Sequence, residues 1–194
     1  MSIYHKWETI FIQIPKCATT SIHEALRNKT DDRHDHSSYI DILLENDSEL
    51  IEKYFSFSCV RNPYDRIMSA YSFLDVSDHY TMNEGLEFEE FIHKLYYSKL
   101  SDIKTIMYLP QYKYITIKNT VLVDKVIKFE NLDKEWKEIS KIINKKNTNG
   151  FKIKDKLPKI NETIYRKNIS YTTETKKMVY ELYENDFLLF NYKK

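Results

Sequence analysis

Apolar residues in this chain fall into two patterns, short β-branched or aromatic runs and longer stretches with helical spacing. Thr9–Ile14 (TIFIQI) and Phe55–Val60 (FSFSCV) are runs of the first kind and predict buried strands. Pro15 closes the first run, because proline has no N–H to give to a sheet ladder. Ser21–Leu26 then predicts a helix, with Ser21 and Glu24 at capping-box spacing and Ile22, Ala25 and Leu26 on one face. After the second run, Asn62 predicts an N-cap, Pro63 a first helical position, and Asp65 a carboxylate that favours the helix dipole. Ile67, Ala70, Tyr71 and Leu74 form the buried stripe of that helix, and Ser69 lies off it. Two strand–loop–helix units therefore stand early in the chain.

The rest reads more loosely. Tyr39–Leu44 and Ser48–Tyr54 predict helical pieces, and Glu87–Ser98 predicts an amphipathic helix with Phe88, Phe91, Ile92 and Leu95 in the core. Leu109–Ile117 is aromatic-rich and fits no single period. Val121–Phe129 predicts a short strand, a turn at Asp124 and Lys125, and a further strand. A helix follows from Leu132 to about Asn144, and Thr172–Leu189 predicts one long terminal helix with Met178, Leu182 and Tyr183 on one face. Asn28–Ser38, Asp75–Glu84, Lys145–Gly150 and most of Leu157–Ser170 read as loops. No repeat or boundary interrupts this order, so residues 1–194 read as a single domain. A chain of this length buries roughly 70% of its unfolded surface and needs no staple.

Charge and composition narrow the function. With 30 basic and 29 acidic residues the net charge is +1, which argues against a nucleic-acid binder acting through a broad basic field. A small cationic pocket stays open. No apolar run approaches the ~20 residues of a membrane span. MSIYHKWETIF has no signal-peptide layout, so a soluble cytoplasmic protein is expected. Cys17 and Cys59 are too few for a disulfide framework and read as free thiols. The glycines are only Gly85 and Gly150, which excludes a Walker-type loop. The sequons at Asn28, Asn46, Asn161 and Asn168 read as chance in an Asn-rich chain.

The loop Pro15–Thr20 places one lysine and two hydroxyls at a helix N-terminus, where free N–H groups and the dipole favour an anion. Arg61 follows the second strand, where open α/β sheets hold their ligands. His34 and His36 flank Asp35 in a polar loop. They lack the further ligands of a zinc site, so no metal is expected. Histidine's ordinary pKa near neutrality suits a general base instead.

With both loops in view, the sequence resembles the sulfotransferase superfamily, nearest to the branch of carbohydrate O-sulfotransferases and their bacterial family 2 relatives. IFIQIPKCATTSIHEAL resembles the 5′-phosphosulfate loop and SCVRNPYDRIMSAYSF the 3′-phosphate motif. VIKFENL and the tail from Leu157 resemble later family elements. The resemblance implies an α/β, P-loop-like three-layer fold whose central, mostly parallel sheet is flanked by helices. It implies 3′-phosphoadenosine 5′-phosphosulfate (PAPS) as donor, no metal, and a hydroxyl acceptor that family analogy makes a saccharide. Lys16, Cys17, Ala18, Thr19, Thr20 and Ser21 would hold the 5′-phosphosulfate, and Arg61 and Ser69 the 3′-phosphate. Arg166 or Lys167 would contact the nucleotide from a late loop. Either His36 or His34 falls where relatives place the base, with Glu24 as candidate should neither serve. Many relatives have glycine where this chain has Thr19. Two rival readings are a non-catalytic module that binds nucleotide or glycan, and a kinase with an aberrant phosphate loop.

Overall fold

A computed structural model describes residues 2–27, 36–74, 85–98, 106–158, 160 and 169–194. The strands are β1 (Ile3–Tyr4), β2 (Thr9–Ile12), β3 (Phe55–Val60), β4 (Thr116–Ile117), β5 (Thr120–Val121) and β6 (Lys125–Lys128). The helices are α1 (Thr19–Leu26), α2 (Tyr39–Glu45), α3 (Ser48–Lys53), α4 (Pro63–Leu74), α5 (Phe88–Tyr97), α6 (Tyr112–Ile115), α7 (Leu132–Lys146), α8 (Thr173–Leu182) and α9 (Glu184–Leu189). The chain forms two compact units, each built from two separated segments: Met1–Val60 with Gln111–Asn161, and Arg61–Pro110 with Glu162–Lys194.

The first unit holds a four-stranded sheet in the order β1-β2-β3-β6. β1 runs antiparallel to β2, while β2, β3 and β6 are mutually parallel. Parallel strands covered on both faces read as unbroken apolar runs, and every residue of β2 and β3 is buried. Register places Phe11 beside Phe57, and their rings stack with centroids 4.9 Å apart. Trp136, Ile139 and Ile143 recur at helical spacing on α7 and are fully buried. The Trp136 ring lies 6.5 Å from that of Phe57. This mixed α/β unit with a mostly parallel sheet agrees with the α/β, mostly parallel part of the fold that the resemblance implies.

Asp124 closes a bend between β5 and β6, one residue before the predicted turn at Asp124 and Lys125. Its Oδ2 accepts from the Ser56 N–H at 2.7 Å and the Ser56 hydroxyl at 2.9 Å, tying the entry of β6 to β3. The short strand before it, β5, pairs antiparallel with β4 outside the main sheet.

The second unit is helical and aromatic. Ile67, Ala70 and Tyr71 of α4, and Phe88, Phe91, Ile92 and Leu95 of α5, are all buried as their spacing predicts. The side chain of Leu74 lies outside the described residues. Arg66 is buried in this core and donates to the carbonyls of Met107 and Leu109 at 2.9 and 2.8 Å. The single terminal helix predicted over Thr172–Leu189 is two helices. Tyr183 leaves helical geometry at φ −120° and ψ 23°, and its hydroxyl donates to the Tyr108 carbonyl at 2.8 Å. Met178, Val179, Tyr183 and Phe187 all enter one core with α4 and α5. Burial pushes the Tyr108 phenol well above its ordinary value.

Candidate functional site

β2 ends at Ile12, two residues sooner than predicted, and Gln13–Ala18 form the passage into α1. α1 starts at Thr19, so Ser21 sits within its first turn and the predicted capping box with Glu24 is not formed. The reason lies in the backbone. Lys16 (φ 67°) and Ala18 (φ 58°) both take the left-handed conformation, which an L residue enters at a cost of roughly 1–2 kcal/mol. Ala18 thereby turns the chain straight into the helix as its N-cap, and no side chain caps it. The Thr19 hydroxyl donates to the Ile14 carbonyl at 2.7 Å and fastens the helix start to the strand exit. Thr19 itself is helical, so the left-handed turns fall at Lys16 and Ala18 and not where relatives carry glycine.

Such an N-terminus, uncapped by any side chain and next to a lysine, has the donors an anion needs. Lys16, Ala18 and Thr20 are half-buried, while Cys17, Thr19 and Ser21 are buried. The Cys17 N–H donates to the Ile14 carbonyl at 3.3 Å, and its thiol donates to Gln111 Oε1 at 3.3 Å. The Ser21 hydroxyl donates to the Ile160 carbonyl at 3.4 Å. Cys17 and Cys59 are both free thiols, as their number predicts.

His36 reaches back to this passage. Its Nδ1 stands 2.6 Å from the Gln13 carbonyl oxygen. A carbonyl only accepts, so Nδ1 carries the proton and a neutral ring keeps its lone pair on Nε2. The partner, Gln13, is a site residue that the sequence analysis passed over. The one signal was a polar residue inside the apolar run TIFIQI. His34, Arg166 and Lys167 lie outside the described residues, as do Asn28, Asn161, Asn168 and the loop 75–84.

In the second unit, Arg61 is the residue after β3 and is buried, and Ser69 lies eight residues on (69 − 61 = 8), also buried, on α4. The Asn62 side chain accepts from the Tyr64 N–H at 3.0 Å, which makes the predicted cap real. Arg66, between them in sequence, was also passed over; its hydrogen bonds to the Met107 and Leu109 carbonyls give it a structural task. Among the described residues no group of three or more His, Cys, Asp or Glu side chains is placed to hold a metal. No helix of the described residues is long and apolar enough to cross a membrane.

β2, the first of the three parallel strands, thus runs into a helix start that no side chain caps. The family model for the Sulfotransferase family matches residues 3–193, and the chain belongs to that family. It is thus a transferase that moves a sulfuryl group to an acceptor hydroxyl. Comparison with curated proteins and with solved structures gave no match.

Proposed function

We propose that the chain transfers the sulfuryl group of PAPS to a hydroxyl of a saccharide, and that residues 1–194 act as one functional domain. The observation that carries this reading is the start of α1. Left-handed Ala18, the lack of a side-chain cap and the adjacent Lys16 together make a seat for a phosphosulfate. Lys16, Cys17, Ala18, Thr19, Thr20 and Ser21 form that seat. Arg61 and Ser69 take the 3′-phosphate, and Arg166 or Lys167 contacts the nucleotide.

The chemistry is an in-line displacement at sulfur. His36, through Nε2, takes the proton of the acceptor hydroxyl as its oxygen bonds to sulfur. The bond from sulfur to the bridging phosphate oxygen breaks, leaving a sulfate ester and 3′,5′-ADP. Lys16 stabilises the charge that grows on the bridging oxygen, and the N–H groups at the start of α1 stabilise the nonbridging sulfuryl oxygens. A sulfuryl group carries less charge than a phosphoryl group, so one lysine and a helix start can do what kinases assign to Mg²⁺.

Thermal shift with 3′,5′-ADP and with ATP tests the donor. At 100 times Kd a specific ligand adds about 2.7 kcal/mol, and only 3′,5′-ADP is expected to do so. Transfer of labelled sulfate from PAPS to a panel of saccharides and other alcohols tests the acceptor. Stabilisation by ATP alone contradicts the reading.

A further inference from the structure

Gln13 is fully buried, although it is polar and stands at the end of an apolar run. A buried amide left without partners is costly, so its position must be made by what it touches. Its Nε2 donates to the Tyr4 hydroxyl at 3.2 Å, and that hydroxyl lies 2.7 Å from Nδ1 of His23. Tyr4 and His23 are also buried. The amide N–H donates to the phenol oxygen, and the tautomer of His23 decides which of the phenol and Nδ1 donates in the second bond. Three elements meet in this chain of bonds: β1 through Tyr4, the exit of β2 through Gln13, and α1 through His23.

The main chain of Gln13 has a second duty, because its carbonyl accepts from His36 Nδ1. Side chain and carbonyl of one residue therefore connect a buried polar network to the histidine read as the base. His23 lies in the helix that opens the phosphosulfate seat, and Gln13 lies three residues before Lys16, so the network grips both ends of the passage that holds the two left-handed residues.

We propose that Gln13 is a positioning residue: the buried Tyr4–His23 pair fixes it, and its carbonyl fixes the tautomer and aim of His36. The inference rests on the reading of His36 as the base. A partner that sets tautomer is needed because only a ring protonated at Nδ1 presents Nε2 to an acceptor hydroxyl. This carbonyl belongs to a residue whose own side chain is fixed in the buried network. Strain at Lys16 and Ala18 persists only where the surroundings over-determine the backbone, and a buried three-element network does that.

The test uses long-range ¹H–¹⁵N NMR of the histidine-labelled full chain together with steady-state kinetics. In the wild type, His36 is expected as the Nδ1-protonated tautomer; an Nε2-protonated ring overturns the proposal without any variant. Tyr4→Phe keeps ring shape and removes the shared hydroxyl. It is expected to shift His36 toward mixed tautomers and to lower kcat by about 10-fold to 100-fold, with less change in donor KM. His23→Asn keeps a polar atom near the place of Nδ1 and is expected to retain most of kcat, whereas His23→Leu is expected to fall with Tyr4→Phe. Should Tyr4→Phe not fold, Gln13→Met gives the same readings. A folded Tyr4→Phe with wild-type tautomer and kcat overturns the proposal. If the wild type moves no sulfuryl group from PAPS, the functional reading fails instead, and the NMR result still decides whether the network sets the tautomer.

Discussion

The two strand–loop–helix regions look alike in sequence and solve the same problem by opposite means. At the start of α4, Asn62 caps the helix through its side chain, so the Tyr64 N–H is already engaged. At the start of α1 no side chain does so, and Ala18 stands at the cap position in a left-handed turn. The first region offers backbone donors and one lysine. The second spends its helix start on its own cap and offers an arginine and a serine side chain instead. In the proposed reading the uncapped helix start is the one that takes the reacting group. It also fits a division of labour, with fixed backbone donors facing the group that reacts and an arginine, a planar fork suited to phosphate, holding a group that does not.

The largest effect is expected at Lys16. Lys16→Ala should lower kcat by about 100-fold or more, as loss of one donor to a developing anion does. Near-wild-type turnover would break the comparison, since the first region would then bind without reacting.

The backbone half of the comparison is sharpened at Ala18. Ala18→Val puts a β-branched side chain at φ 58°, and about 1–3 kcal/mol of stability should be lost, read by chemical denaturation. Ala18→Gly should keep turnover. Equal effects of the two would mean that the left-handed turn is not what shapes the seat.

Asn62→Ala should cost about 1 kcal/mol, which lowers Tm by roughly 2–4 °C in a chain of this size. Donor KM should hold, because the cap serves the helix and not the ligand. Ser69→Ala should do the reverse, weakening 3′,5′-ADP by about 3-fold to 10-fold, the worth of one hydrogen bond.

The smallest effect lies away from both regions. The hydrogen bond from Lys125 to Glu138, 2.7 Å long, holds the Glu138 carboxyl below its ordinary value of 4.5. A depressed carboxylate adds stability above its unfolded pKa and loses it as pH falls. In Lys125→Ala, Tm should therefore decline less steeply between about pH 6 and pH 3 than in the wild type. Glu138 is exposed and Lys125 half-buried at the surface, so the change should be slight.

The sequence made β2, β3, β6 and most helices legible because burial on both faces writes short apolar and aromatic runs into β2 and β3, the second interrupted by Ser56 and Ser58, and one-sided burial writes periodic ones into α4, α5 and α7, whereas the two-residue strands β1 and β4 leave no such run. It failed where a local rule met a tertiary one. Ser21 and Glu24 have capping spacing, yet the turn at Ala18 starts the helix two residues sooner. Thr172–Leu189 keeps helical periodicity, yet the backbone leaves helical geometry at Tyr183, whose hydroxyl bonds the Tyr108 carbonyl. At the candidate site, Lys16, Arg61 and Ser69 stood out by type and spacing. Gln13 did not, because its task is performed by a carbonyl that every residue possesses.

Titration calorimetry of 3′,5′-ADP and 5′-AMP into the wild type and Arg61→Ala tests the division of labour most directly. The wild type should prefer 3′,5′-ADP by a few kcal/mol, the worth of a charged hydrogen-bonded pair, and Arg61→Ala should bind the two ligands about equally. A wild type indifferent to the 3′-phosphate, or an Arg61→Ala variant with its preference intact, contradicts the account.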